Sequence, residues 1–169
     1  NWKSKVTKDH EFRSIYPGIL LQERDKMEIK PEDLKIVTNV HPNKYELEDL
    51  IFAWKVVKQV KSNGIVFVKN GATVGIGSGQ PSRIDSTMTA IYKSEKMRDD
   101  MRLLSSPLVG GVMASDAFFP FSDSLERAVS KGIKSVIQPG GSIRDAEVID
   151  FANNKGLSMV FTGIRAFKH

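Results

Sequence analysis

The sequence has no cysteine and only three histidines in 169 residues. The first absence excludes disulfides, thiolate nucleophiles and the Cys ligands that zinc deaminases need in their H-x-E and P-C-x-x-C signature. The histidines, His10, His41 and His169, have no spacing that would gather them around a metal. Neither a Ser/His/Asp arrangement nor a GxxxxGK[ST] phosphate loop is present. No apolar run approaches the roughly 18 residues of a membrane span, and no basic segment followed by an apolar stretch marks a secretory signal. These absences lead to the expectation of a soluble, cytoplasmic protein that binds no membrane. Charge of one sign is not concentrated either: 25 basic residues are interspersed with 20 acidic ones for a net +5. That balance favours anionic small molecules over nucleic acid as partners.

What is present suffices for one core, since 40% of the residues are hydrophobic and the length fits a single domain. The chain begins at Asn1 without an initiator methionine, so it is expected to be a mature piece or part of a longer polypeptide. Residues 1–45 read as a lead-in and connecting segment, and 46–169 as the folded unit.

The organising stretch is Lys61 to Arg83, KSNGIVFVKNGATVGIGSGQPSR. Apolar runs Ile65–Val68 and Ala72–Ile76 flank Asn70-Gly71, a pair suited to the positive φ angles of a tight hairpin. In the second strand Thr73, Gly75 and Gly77 share a face, and the two glycines leave it open to close approach. The segment from Gly77 to Pro81 then leads into a helix, placing free amides and Arg83 in an anion-binding arrangement. The same glycines also suit a loop that only reverses the chain.

Upstream, Asn1 to Glu11 reads as an extended lead-in anchored by Trp2, Val6 and Phe12. Ile15–Gln22, with Pro17-Gly18, reads as a short strand after a turn, and Ile36–Thr38 as an edge strand. Leu47, Leu50, Ile51, Trp54, Val57 and Val60 recur at helical spacing, which predicts an amphipathic helix over 46–61 with Trp54 in the core. Downstream, a helix over 85–104 precedes strands at 109–115, 135–138 and 157–162. These alternate with helices at 124–130 and 145–154, the first with a capping-box spacing at Asp123-x-x-Glu126 and each ended by glycine. Strands separated by such helices predict a mostly parallel sheet whose following loops open on one edge.

Those loops carry the chemistry. Phe118, Phe119 and Phe121 surround Pro120, and so much apolar surface in a loop suggests either a slot for a heterocycle or plugs for the core. Asp123 is then a rim acceptor or a helix N-cap. Gly140-Gly141 would allow close backbone approach. Arg83 and Arg165 could each clamp a phosphate or carboxylate, or serve as surface ion-pair partners. Asn63, before the first hairpin strand, could orient an amide or amine, or make a turn.

In order along the chain, Lys61-Ser62-Asn63, Gly75–Arg83 (GIGSGQPSR), Ser115–Phe121 (SDAFFPF), Pro139–Asp145 (PGGSIRD) and the terminal Arg165–His169 (RAFKH) together resemble the C-terminal part of the AICAR transformylase family. Phe12-Arg13-Ser14 and Phe52–Lys55 fit it as well. In that family the transformylase is half of a bifunctional purine-biosynthesis enzyme whose other half is IMP cyclohydrolase. The resemblance implies a cytidine-deaminase-like α/β three-layer sandwich with a mixed, mostly parallel sheet, a leading hairpin and no zinc. It implies transfer of a formyl group from 10-formyltetrahydrofolate to AICAR, giving FAICAR, in a homodimer. Asn63, Phe118 and Arg165 would face AICAR. Arg83, Ile84, Asp123, Gly140 and Gly141 would face the folate, and a monovalent cation is expected near Asp116 by analogy.

One departure matters. The family's catalytic Lys-His pair lies in a K-H-x-x-P motif of the preceding transformylase subdomain, and this sequence has none. Lys168-His169 matches the terminal signature instead. The expectation is half of a composite site, inactive alone, with Asn63 in a supporting role and no cyclohydrolase activity on this chain. The alternative is a non-catalytic folate- or nucleotide-binding or dimerisation module.

Overall fold

A computed structural model describes residues 10–23 and 27–168. The anchors Trp2 and Val6 and the terminal His169 lie outside the described residues.

The chain opens with a hairpin of β1 (His10–Ile15) and β2 (Gly18–Glu23), which pair only with each other. The turn and the strand after it, β2, lie where the sequence places them, while the partner strand β1 was not expected. Ile15 pairs directly with Gly18 across a two-residue turn, Tyr16-Pro17, whose peptide bond is cis. Phe12 and Leu21 are cross-strand partners on one face, with Ile19 beside them, and all three are exposed.

The remaining strands form one six-stranded sheet. They are β3 (Lys35–Ile36), β4 (Ile65–Lys69), β5 (Ala72–Gly77), β6 (Val112–Ser115), β7 (Ser135–Gln138) and β8 (Ser158–Phe161), in spatial order β3-β8-β7-β6-β4-β5. Only the β6–β7 and β7–β8 pairs are parallel, so "mostly parallel" does not describe the pairing. A two-residue turn can join only antiparallel strands, and β4 is accordingly antiparallel to β5 and also to β6. Strand β3 is antiparallel to β8. Two reversals through β4 nevertheless leave β5 running the same way as β6, β7 and β8. The loops after these four strands therefore share one edge with the residues just before β4.

The hairpin turn matches its sequence signal: Asn70 and Gly71 have φ of 53° and 73°. Asp49 accepts from both of their amides at 2.8 and 2.7 Å, so the preceding helix fixes the turn. That helix, α1 (Lys44–Val57), begins before the expected position because Asn43 and Glu46 form a capping box. It packs on one sheet face, where Leu50, Trp54 and Val57 meet Val66, Val112 and Ile137.

On the other face lie α2 (Arg83–Asp100), α3 (Asp123–Ser130) and α4 (Asp145–Asn154), enclosing Phe67, Met113, Leu125, Val136 and Met159. Strand alternation divides the two layers: Ile65 and Phe67 point one way, Val66 and Val68 the other. The product is an α/β three-layer arrangement. Among the described residues no helix is long and apolar enough to cross a membrane.

The glycine face of β5 serves this packing. A Cβ on Gly77 would overlap the Ser86 carbonyl, and one on Gly75 would come within 2.5 Å of the Ala90 carbonyl oxygen. The close approach read from sequence is thus made by the backbone of α2.

Candidate functional site

The shared edge gathers Asn63, the loop from Ser78 to Ser82, the loop from Asp116 to Ser122, Pro139 to Arg144, and the segment after β8. At its centre is Asp116, fully buried directly after β6. Its Oδ1 accepts from Arg83 Nη1 at 2.6 Å. Its Oδ2 accepts from Ser62 Oγ at 2.5 Å and the Gly64 amide at 2.9 Å. A buried carboxylate needs such a full set of donors, because desolvating an unpaired charge is very costly.

Arg83 is the first residue of α2, after the N-cap Ser82, whose Oγ accepts from the Asp85 amide at 3.1 Å. Its side chain turns inward, 8% exposed, and also donates to Ser115 Oγ at 2.8 Å and Asn63 Oδ1 at 3.1 Å. The surface clamp or surface ion pair read from sequence is therefore replaced by a buried pair. Ile84 follows, half-buried in the first helical turn.

Asn63 stands where β4 begins, after a cis Ser62–Asn63 peptide. Its Nδ2 donates to the Gln80 carbonyl at 3.0 Å, its Oδ1 accepts from Arg83, and its own carbonyl accepts from Ser86 Oγ at 2.6 Å. The side chain is half-buried and held from both ends.

The three phenylalanines divide between both sequence readings. Phe119 is fully buried in the core. Phe118 is half-buried with the Arg165 guanidinium 4.7 Å from its ring centroid. Phe121 is exposed and carries Arg144 at 4.7 Å. Each rim ring therefore presents a flat face with a cation attached, and Arg144 was not singled out from sequence. Arg165 itself is exposed.

Asp123 is exposed at the rim as the first residue of α3, not its cap. The N-cap is Ser122, which makes no side-chain cap bond, and Asp123 Oδ1 accepts from the adjacent Ser124 amide at 2.7 Å. The expected capping box is absent for this reason. Gly140 has φ 72° and lies against the Phe161 ring, leaving no room for a side chain. Gly141 is exposed, and its amide donates to Asp145 Oδ2 at 2.7 Å.

The tail is bound to the same centre. The Ala166 amide donates to the Asp116 carbonyl at 2.9 Å, and the Ser62 amide to the Lys168 carbonyl at 2.8 Å. The Lys168 amide donates to Ser62 Oγ at 3.2 Å. Lys168 Nζ reaches Gln59 Oε1 at 2.9 Å, away from the aromatic rim. Clefts in the chain also lie to the side: one of about 170 Å³ runs between the β1–β2 hairpin, the end of α1 and the tail.

A family model described as AICARFT/IMPCHase bienzyme matches residues 1–93. Proteins named bifunctional purine biosynthesis protein PurH are similar over nearly the whole chain. Those of Magnetococcus marinus, Persephonella marina and Ruegeria sp. are 50, 53 and 53% identical over 94, 98 and 93% of it. The chain spans about 30% of the length of each. A solved deaminase/reductase of Thermotoga maritima, named for diaminohydroxyphosphoribosylaminopyrimidine, aligns with 70% of the chain and 35% of its own at 18% identity and TM-score 0.41. That likeness is too slight to assign a fold.

Proposed function

The chain belongs to the AICARFT/IMPCHase bienzyme family, and from that membership we propose that its strand-end edge is the nucleotide-facing part of an AICAR formyltransferase site. The observation that carries this reading is the Arg165–Phe118 stack, on the same sheet edge as Asn63. A flat ring with a fixed cation suits a planar heterocycle bearing a phosphate. Asp123, at the start of α3, and Gly140 and Gly141, in the turn after β7, suit the folate. We read the three layers as a cytidine-deaminase-like subdomain that works without zinc, in the cytoplasm.

The reaction joins the 5-amino nitrogen of AICAR to the formyl carbon of 10-formyltetrahydrofolate and breaks the bond from that carbon to N10; the amine gives up one proton, N10 takes one up, and tetrahydrofolate leaves. That amine is conjugated and weakly nucleophilic, so transfer needs a base and a donor to the developing oxyanion. A carboxamide is no base, and both ends of the Asn63 carboxamide are already engaged. The base is supplied by the Lys-His-bearing part of the polypeptide, and the site is completed there and by a second copy. The oxygens of Asp116, Ser62 and the Lys168 carbonyl are hard donors of the kind a monovalent cation takes. They would hold one next to the tail, where it would supply positive charge.

The test is a formyl-transfer assay with AICAR and 10-formyltetrahydrofolate. The longer polypeptide containing this chain should form FAICAR, and the 169 residues alone should not. Transfer by the 169 residues would overturn the composite site. No transfer by the longer polypeptide would overturn the whole reading.

A further inference from the structure

We propose that Asn70 is a site of spontaneous covalent modification, conversion of its carboxamide to aspartate and isoaspartate, and that the Asp49 carboxylate holds that conversion in check. The chain has two Asn-Gly pairs, Asn63-Gly64 and Asn70-Gly71. Such a pair is chemically vulnerable because glycine has no Cβ to shield its nitrogen or restrict its backbone. The glycine nitrogen gives up its proton and attacks Cγ of the asparagine, and the bond from Cγ to Nδ2 breaks. Ammonia leaves with the proton, and water then opens the five-membered imide at either carbonyl.

In both pairs the glycine amide that must attack is held by a carboxylate. Gly64 donates to Asp116 Oδ2 at 2.9 Å, and Gly71 to Asp49 Oδ1 at 2.7 Å. Each bond favours the N–H form and sets a negative charge against the anion that deprotonation would leave, so it opposes the first step. The pairs differ in what else restrains them. Asn63 is half-buried, with its carboxamide bonded at both ends. Asn70 and Gly71 are exposed at the tip of the hairpin, where Asp49 also takes the Asn70 amide at 2.8 Å. Isoaspartate routes the main chain through the side-chain carbon, adding an atom to a two-residue turn closed by the Lys69–Ala72 pair. It also sets a second carboxylate near Asp49. Strands β4 and β5 join that turn to Asn63 and Gly77, so the modification acts on strands that carry the site edge.

The test is peptide mapping by mass spectrometry after incubation of the longer polypeptide containing this chain at mildly alkaline pH. Cleavage after Lys61, Lys69 and Arg83 separates the Asn63 peptide from the Asn70 peptide. In the folded parent both asparagines should convert far more slowly than in the same protein held in denaturant. Asp49→Ala should convert Asn70 about tenfold or more faster than the parent, because the rate follows the deprotonated fraction of the Gly71 amide. Asn63 should stay at its parent rate. Asp49→Asn, which can still accept from the turn but without a charge, should fall between. An Asn70 rate in the folded parent equal to that in denaturant would overturn the proposal, as would an unchanged rate in Asp49→Ala. If Asp49→Ala unfolds, Asn63 converts faster as well, and the folded Asp49→Asn decides instead: an Asn70 rate there equal to the parent's would overturn the role of Asp49.

Discussion

Phe118, Phe119 and Phe121 are identical side chains within four positions, yet one fills the core and two carry arginines at the rim. Local sequence cannot sort them, because the division depends on where β6 ends and α3 begins. Arg83 and Asp116 illustrate the same limit: 33 residues apart on different elements, they pair only once β4, β5 and β6 are side by side. The residue types and loops were legible; which arginine faced inward was not. Arg165 is the exposed one, and its charge is the feature the account needs. Arg165→Met keeps apolar contact with Phe118 but removes the cation. It should weaken AICAR binding by the longer polypeptide about tenfold or more, since a hydrogen bond to a charged group contributes about 1.5–3 kcal/mol. Calorimetric titration checks this, with unaltered folate binding as the internal control.

Among the elements, period and punctuation revealed most. The helical stripe through Leu50, Trp54 and Val57, the Asn70-Gly71 turn and the glycines ending α3 and α4 all lie where local physics put them. Of the β1–β2 hairpin the sequence shows the turn and β2 but not β1, whose residues are nearly all exposed, so no buried side imposes a pattern on it. The glycines of β5 were visible, but their neighbour was not: α2 packs against them with its own backbone. Gly77→Ala should therefore destabilise the fold, because its Cβ would meet a backbone carbonyl that cannot rotate away. The expected loss is at least about 1–3 kcal/mol, the usual cost of overpacking. At roughly 2–4 °C per kcal/mol for a chain of this size, thermal unfolding would register it. An unchanged midpoint would mean that α2 can move off the strand.

At the scale of the whole molecule, four strands pointing one way bring five segments to a single open edge. The sequence already placed four of those segments after strands and Asn63 before one, and the unknown was the direction of β5, which two antiparallel pairings resolve. The chain spans about 30% of its relatives' length, and the proposed proton-accepting group belongs to the remainder. In the proposed function this edge holds AICAR. The direct measurement is titration of AICAR into the isotope-labelled 169-residue chain, followed by nuclear magnetic resonance. Saturable shifts are expected at Asn63, Phe118 and Arg165 and none on the β1–β2 hairpin. An edge whose resonances do not move at saturating AICAR would contradict it.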